Sequence, residues 1–124
     1  VKCYPNMLNQ VFLNILMNAI QSIEKKIQKI GEYGASIEIT TKMQDDKLVV
    51  SIKDNGFGID EKDRKKIFQA GFTTKKVGEG TGLGLAICKK IIEKHKGEIS
   101  FNCKKSDKTK PDTFCTEFCI NIPL

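Results

Sequence analysis

Three groups of residues have types and spacings suited to chemistry. The first is Gly78-Glu79-Gly80-Thr81-Gly82-Leu83-Gly84, four glycines at alternate positions ahead of a helical pattern. Glycine lets backbone N–H groups approach an anion closely, and a helix N-terminus adds unpaired donors and the positive end of a dipole. That combination predicts a phosphate site. The run follows a loop rather than a strand, and it lacks the Gly-Lys-Ser/Thr ending of a P-loop, so neither a Rossmann turn nor a P-loop fits. By itself it serves equally well as a hinge. The second group is Asp54-Asn55-Gly56-Phe57-Gly58-Ile59, at the end of a strand pattern. An acceptor-only carboxylate there, beside glycines that clear space, can hold a purine's exocyclic amine. The same aspartate is suited to organising the turn at Asn55-Gly56. The third group is Asn14 and Asn18, whose amide oxygens are hard ligands of the kind Mg²⁺ accepts alongside water and phosphate. Each asparagine alone is equally a polar residue on a helix side.

The elements that must position these groups follow from periodicity. Leu8, Val11, Phe12, Ile15, Leu16, Ala19, Ile20, Ile23, Ile27 and Ile30 recur at three- and four-residue spacing, which predicts a helix over residues 6–30. Pro5 suits its first turn and Gly31 its stop. Beside the apolar stripe run Gln10, Asn14, Asn18 and Ser22, stacked in steps of four. Residues 36–43 and 47–54 alternate as strands around an Asp45-Asp46 turn. Asp54 shares the parity of Leu48, Val50 and Ile52, so it should point to the buried side. Asp60 suits the N-cap of a short helix through Phe68. Residues 69–80 lack periodicity and should form a mobile loop of roughly a dozen residues, long enough for a lid. Residues 82–96 read as a helix cored by Leu83, Ala86, Ile87, Ile91 and Ile92. Residues 98–103 and 113–122 read as strands joined by a solvated loop. Helices segregated from a largely antiparallel, mixed sheet predict an α/β two-layer sandwich with the helices on one face.

At 124 residues, one domain is expected, large enough for a core without disulfide staples. No apolar run approaches the roughly 18 residues of a membrane helix. The N-terminus is not a signal peptide, and without an initiator Met the chain reads as a piece of a longer protein. With 21 Lys+Arg against 15 Asp+Glu the net charge is +6. The basic residues are spread along the chain in groups such as Lys25, Lys26 and Lys29, which read as solvated faces. With aromatics at 7% and no Trp, a stacking surface for nucleic acid is not expected. The five cysteines form no paired CxxC, so free thiols in a reducing cytosol are expected rather than zinc.

Taken together, the three groups make the sequence resemble the ATP-binding catalytic domain of sensor histidine kinases, within the GHKL superfamily (Bergerat-type fold). Residues 8–20 resemble the N box and residues 54–59 the first glycine box. Residues 67–75, with Phe68, Thr73 and Thr74, resemble the F box, and residues 80–87, GTGLGLAI, the second glycine box. The short lid and FTTK are similar to the nitrogen-regulation and sporulation-kinase subgroup. The resemblance covers nearly the whole chain.

The resemblance implies roles for these positions. Asn18 corresponds to the Mg²⁺-ligating asparagine, and Asn14 to the other N-box asparagine, near the phosphates. The superfamily's ATPases carry a catalytic glutamate at position 14. An amide cannot act as a base, which favours phosphoryl transfer over hydrolysis. Asp54 corresponds to the adenine-recognising aspartate, with Gly56 and Gly58 admitting the base, and Thr116 to a threonine that reaches adenine through water. Lys75 is placed to meet the terminal phosphate, and Gly80, Gly82 and Gly84 are the lid hinge and phosphate-contacting glycines. Ile59, Phe68, Thr73, Thr74, Thr81 and Leu83 complete the implied nucleotide site. Departures are Gln21 where many relatives carry Lys or Arg, and Cys115 where a glycine commonly stands. The implied function is to bind Mg·ATP and donate its γ-phosphate to a histidine on a separate dimerisation domain of the same protein, with a response regulator downstream. A cytoplasmic location under a parent that is or is not membrane-anchored, and a monomeric isolated domain, go with it. The alternatives are a regulatory nucleotide-binding module without transfer, and a GHKL ATPase or serine kinase. His95 is outside an acceptor context and is expected to cap or pack.

Overall fold

The computed structural model describes residues 4–69, 84–104 and 110–123. Helix α1 (Pro5–Ile30) is followed by strands β1 (Ile37–Gln44) and β2 (Lys47–Asp54), a 3₁₀ turn (Glu61–Asp63), helix α2 (Gly84–Lys94) and strands β3 (Glu98–Cys103) and β4 (Thr116–Pro123). Pro5 stands in the first turn of α1, where its missing N–H costs nothing. Gly31, at φ 84°, ends it with a backbone bond to the Ile27 carbonyl. Asp45 and Asp46 both take positive φ, as a two-residue hairpin between β1 and β2 requires.

The sheet order is β1-β2-β4-β3, and all three pairings are antiparallel. Register lines up the inward residues in rows across β2, β4 and β3: Val50, Ile120 and Ile99; then Ile52, Phe118 and Phe101; then Asp54, Thr116 and Cys103. Val11, Ile15, Cys88, Ile91 and Ile92 of the helices bury against the apolar rows. The third row is polar, at the sheet's end, and α1 passes it. Ile39 and Met43, on edge strand β1, are exposed, as are Ile20 and Ile30 of the predicted helical stripe.

Three expectations are corrected. Asp60 makes no side-chain cap, and the short helix through Phe68 reduces to the 3₁₀ turn and the turns after it. The last strand begins at Thr116, three residues later than its alternation suggested; in the segment before it the Pro111 carbonyl accepts from Lys26 of α1. Lys26 is not solvated: it is 5% exposed. The predicted lid, apart from Gln69, lies outside the described residues.

His95 ties the two helices together. Its Nδ1–H donates to the Ile91 carbonyl (2.8 Å), and its Nε2 accepts from the Tyr4 backbone N–H (3.0 Å) at the start of α1. Tyr4 stacks edge-on against the ring at 5.6 Å. Both bonds are made at once only by the neutral ring with its proton on Nδ1. His95→Ala should therefore destabilise the domain by about 1–3 kcal/mol, since it orphans a donor and empties a buried site. Urea unfolding of the variant beside the unmutated chain measures this; equal midpoints would show that the clasp contributes nothing.

Candidate functional site

Asp54 ends β2 with 3% of its surface exposed. Its parity with Val50 and Ile52 turns it inward, as its place in the sequence predicts. One carboxylate oxygen accepts from the Gly56 backbone N–H at 2.9 Å, so it does organise its turn. That bond occupies one of the two oxygens. Burial pushes the Asp54 carboxyl up to about 6, while the Gly56 bond and Lys26 pull the other way. A rise of that size weighs about 3 kcal/mol against the ionised form at neutral pH. The fold thus holds a carboxylate where ionising it is costly, which makes it a candidate for a functional group.

The glycines beside Asp54 have distinct local reasons. A Cβ on Gly56 would collide with the Ser22 hydroxyl and lie 2.7 Å from the Ser22 carbonyl carbon and 2.8 Å from the Ile23 nitrogen. The space at Gly56 is therefore taken by α1. Gly58 has room, but its φ of 84° is one that L side chains rarely adopt. Ser22 receives this turn: its carbonyl accepts from Phe57 N–H (3.0 Å) and its hydroxyl from Gly58 N–H (3.2 Å). Ile59, half-buried, donates its N–H to the Cys103 sulfur at 3.4 Å.

Thr116 is 4% exposed and opposite Asp54 in the register. Its hydroxyl lies 3.7 Å from each of the Cys103 and Cys115 sulfurs. Burial pushes the Cys115 thiol up, and that thiol donates to the Gly56 carbonyl at 3.1 Å. The four described cysteines, Cys88, Cys103, Cys115 and Cys119, are free thiols. Phe68 packs edge-on against Phe101 and Phe118, with ring centroids at 6.0 and 6.5 Å.

At the other end of the site, Asn14 Nδ2 donates to the Gly84 carbonyl (3.4 Å) and approaches the Cys88 sulfur (3.7 Å). This joins the middle of α1 to the first turn of α2. Asn18 lies one turn further along the same side of α1. With the Asn14 nitrogen committed to α2, its oxygen is the atom left for a ligand. Among the described residues no group of three His, Cys, Asp or Glu could hold a metal. An ion at Asn14 and Asn18 would thus take most of its ligands from phosphate and water, a donor set that fits Mg²⁺. Lys75, Thr73, Thr74, Gly80, Thr81, Gly82 and Leu83 lie outside the described residues.

Three residues around Asp54, namely Asn55, Lys26 and Tyr33, make contacts that the sequence pattern did not suggest. Asn55, 1% exposed, accepts from Ser36 N–H (2.8 Å) and donates to the carbonyls of Gly34 (2.7 Å) and Asp112 (3.2 Å). Lys26 donates to the carbonyls of Asn55 (3.0 Å) and Pro111 (2.6 Å), and its ammonium sits 4.6 Å from the centre of the Tyr33 ring. The Tyr33 hydroxyl is buried without a hydrogen-bond partner among the described residues, as is the Gln21 side-chain oxygen. The signal for Lys26 was present: Val11, Ile15, Ala19 and Lys26 fall on one face, at steps of four, four and seven.

The fold that carries these residues is that of a known ATPase family. Residues 3–124 match the family described as "Histidine kinase-, DNA gyrase B-, and HSP90-like ATPase". Sporulation kinase E of Bacillus subtilis (strain 168) is 43% identical over 100 residues, covering 80% of this chain and 12% of that protein. Sensor histidine kinase ZraS of Escherichia coli (strain K12) is 37% identical over 122 residues, 98% of this chain and 23% of that protein. The solved catalytic domain of histidine kinase ThkA gives a TM-score of 0.75 at 33% identity, over 99% of this chain and 70% of that one. The chain belongs to the histidine kinase-, gyrase- and HSP90-like ATPase family, on the histidine-kinase side. It spans less than a quarter of the two curated relatives named. Among the described residues no helix is long and apolar enough to cross a membrane.

The raised Asp54 carboxyl makes a stability prediction with a definite sign. A carboxyl that titrates higher in the fold than in the unfolded chain, where it lies near about 4, favours folding while protonated. That contribution is complete below about pH 4 and is lost as pH rises through about 6. Asp54→Asn keeps the acceptor for Gly56 N–H and removes the charge. It should stabilise the nucleotide-free domain by about 1–3 kcal/mol at pH 8 and by little at pH 4. Thermal unfolding at the two pH values measures the difference, and a variant less stable at pH 8 would contradict the cost assigned to the buried charge.

Proposed function

We propose that this chain is the ATP-binding unit of a longer cytoplasmic or membrane-anchored histidine kinase. It binds Mg·ATP between α1, α2 and the Asp54 end of the sheet. It then presents the γ-phosphoryl group to a histidine on a separate dimerisation domain of the same protein, with a response regulator as the onward acceptor. The observation that carries this reading is Asp54: a desolvated carboxylate with one oxygen fixed by Gly56 and the other available to an exocyclic amine. Asn14 and Asn18 supply neutral oxygens one helix turn apart beside α2, where phosphates would meet its first turn. Mg²⁺, when bound, neutralises phosphate charge and holds the terminal groups in line. Lys75 and the glycines at 80, 82 and 84 belong to the phosphate side by sequence.

The residue types favour transfer. In the transfer a terminal P–O bond breaks, an N–P bond to the acceptor imidazole forms, and ADP leaves. This needs orientation and charge neutralisation more than a base, and Asn14 is no base. The chain's one histidine, His95, is committed to Ile91 and Tyr4 at the far end of α2 from Gly84. That helix spans 11 residues, so the gap is roughly 16 Å along its axis, against the roughly 3–3.5 Å that transfer requires.

The chain incubated with γ-labelled ATP and Mg²⁺ should take up no label, and should label a separately made histidine hairpin when the two are mixed. An alkaline gel that preserves phosphohistidine reads both. Binding without transfer would favour a regulatory module, and steady release of phosphate without an acceptor would favour an ATPase. Label on the chain itself, lost in His95→Gln, would overturn the division of labour.

Two binding measurements test the residue roles. In Asp54→Asn, Gly56 holds the amide oxygen inward and the NH₂ would face the base's amine, donor against donor. ATP affinity should fall roughly ten- to a hundredfold. In the unmutated chain affinity should fall as pH drops through about 6, where the acceptor is protonated. Asn18→Ala should weaken Mg·ATP more than metal-free nucleotide. Equal losses with and without Mg²⁺ would return Asn18 to packing.

A further inference from the structure

Lys26 is the one charged residue that shares the buried face of α1 with Val11, Ile15 and Ala19. A lysine 5% exposed is costly in a core and is retained only where its charge and donors are used. If packing were its purpose, an aliphatic residue of similar volume would serve as well or better. Its ammonium bonds two carbonyls, those of Asn55 and Pro111. They belong to the two segments that flank the polar row of the sheet: the turn that leaves β2 at Asp54, and the approach to β4 at Thr116. The same two segments are bonded to each other through Cys115 N–H to the Asp54 carbonyl (3.0 Å) and through Asn55 to the Asp112 carbonyl. The remaining side of the ammonium faces the Tyr33 ring. The carbonyls and the ring are neutral. Lys26 acts on the Asp54 carboxyl in the direction that favours its ionised form, less strongly than burial opposes it, and the Asp112 carboxylate, next to Pro111 and bonded to Gly34 N–H, lies on the same side.

The groups that bear on Asp54 come from three sides: Lys26 from α1, Tyr33 from the segment after α1, and Cys115 from the segment before β4. Burial holds the Tyr33 hydroxyl and the Cys115 thiol above their ordinary ranges, so both are neutral around pH 7. Among the described residues, Lys26 is then the cation that bears on the carboxyl.

We propose that Lys26 is the positioning residue of the base-binding end of the site: it pins the two backbone segments that frame the pocket to α1 and supplies the counter-charge for the Asp54 acceptor. This rests on the reading of Asp54 as the acceptor for adenine. It adds to that reading a residue which does not itself touch the base. Through Lys26 the carboxylate acquires a partner without losing its free oxygen, because the ammonium spends its bonds on carbonyls and acts on Asp54 through space.

The test uses the full chain in three forms: unmutated, Lys26→Met and Lys26→Arg. Circular dichroism first establishes folding. Carbon-13 NMR of the Asp54 carboxyl, without nucleotide, reads its titration midpoint, and calorimetry reads ATP affinity from pH 5 to 8.5. The Met variant should raise the midpoint by about one unit. It should weaken ATP binding by a loss that is largest near pH 6, roughly fivefold, falls to about twofold at pH 7 and is recovered at pH 8.5, where the carboxyl is again ionised. The Arg variant should keep the midpoint close to that of the unmutated chain. A folded Met variant with an unchanged midpoint, or with a loss of affinity equal at every pH, overturns the proposal in favour of a packing role. Should the variants fail to fold, the unmutated chain decides: the Lys26 Nζ resonance must shift with the Asp54 midpoint, and a Nζ signal indifferent to that titration overturns the pairing. Because the NMR titrations need no nucleotide, an unmutated chain that coupled Lys26 to Asp54 but bound no ATP would sink the adenine reading and leave the pairing standing.

Discussion

A carboxylate held out of water at the end of a strand is the constraint on which the rest of this structure turns. Asp54 gains nothing for the fold by being ionised there. It is kept in place because its neighbours leave it no other position. Strand parity drives it inward behind Val50 and Ile52, Gly56 N–H takes one oxygen, and β4 closes over it with Thr116 in register. Water is excluded without the remaining oxygen being used up. A desolvated acceptor of this kind discriminates sharply between a ligand that can donate to it and one that cannot, since the mismatch leaves it buried and unpaired.

Helix α1 makes that geometry possible. At 26 residues and roughly 1.5 Å per residue it is about 39 Å long, and residues along it and at its N-cap contact the other elements one after another. Near its start the Tyr4 N–H is clasped by His95 from the end of α2. In its middle Asn14 reaches the beginning of α2 at Gly84. Further on Ser22 receives the turn of Phe57 and Gly58, and Lys26 gathers the loops behind Asp54. Helix α2 is thus held to α1 at both ends, and the Asn14 end and the Asp54 end of the candidate site hang on one rod. The close approach is carried by Gly56, whose missing side chain is space that α1 occupies.

The Asp54 end also carries two thiols and a lysine-flanked ring. Cys103 and Cys115 both lie against Thr116, and a Cβ on Gly58 would be 3.5 Å from one sulfur and 3.6 Å from the other. The Cys115 thiol bonds the Gly56 carbonyl, in the turn that follows Asp54. Phe57, in the same turn, is flanked by Lys25 and Lys29 at 4.1 and 4.4 Å from its ring centre, so two lysines that read as merely solvated also cover an aromatic ring.

The amino-acid sequence by itself determined the order of the elements, the inward aim of Asp54 and the stacking of Asn14 over Asn18, because each is set by a local period of 2 or 3.6 residues. The motif order carried the family, since glycines and amides at those spacings serve one chemistry. It also placed His95 in a structural role. The start of β4, the reduction of the Asp60 helix to a 3₁₀ turn and the burial of Lys26 were decided by tertiary structure. A lysine reads as solvent-facing until the carbonyls that satisfy it are known. Those of Asn55 and Pro111 stand 29 and 85 residues away in sequence. No local pattern reports a bond of that range, and only the antiparallel closure of β2 on β4 brings both carbonyls to the buried side of α1, where an ammonium costs less than two unpaired acceptors.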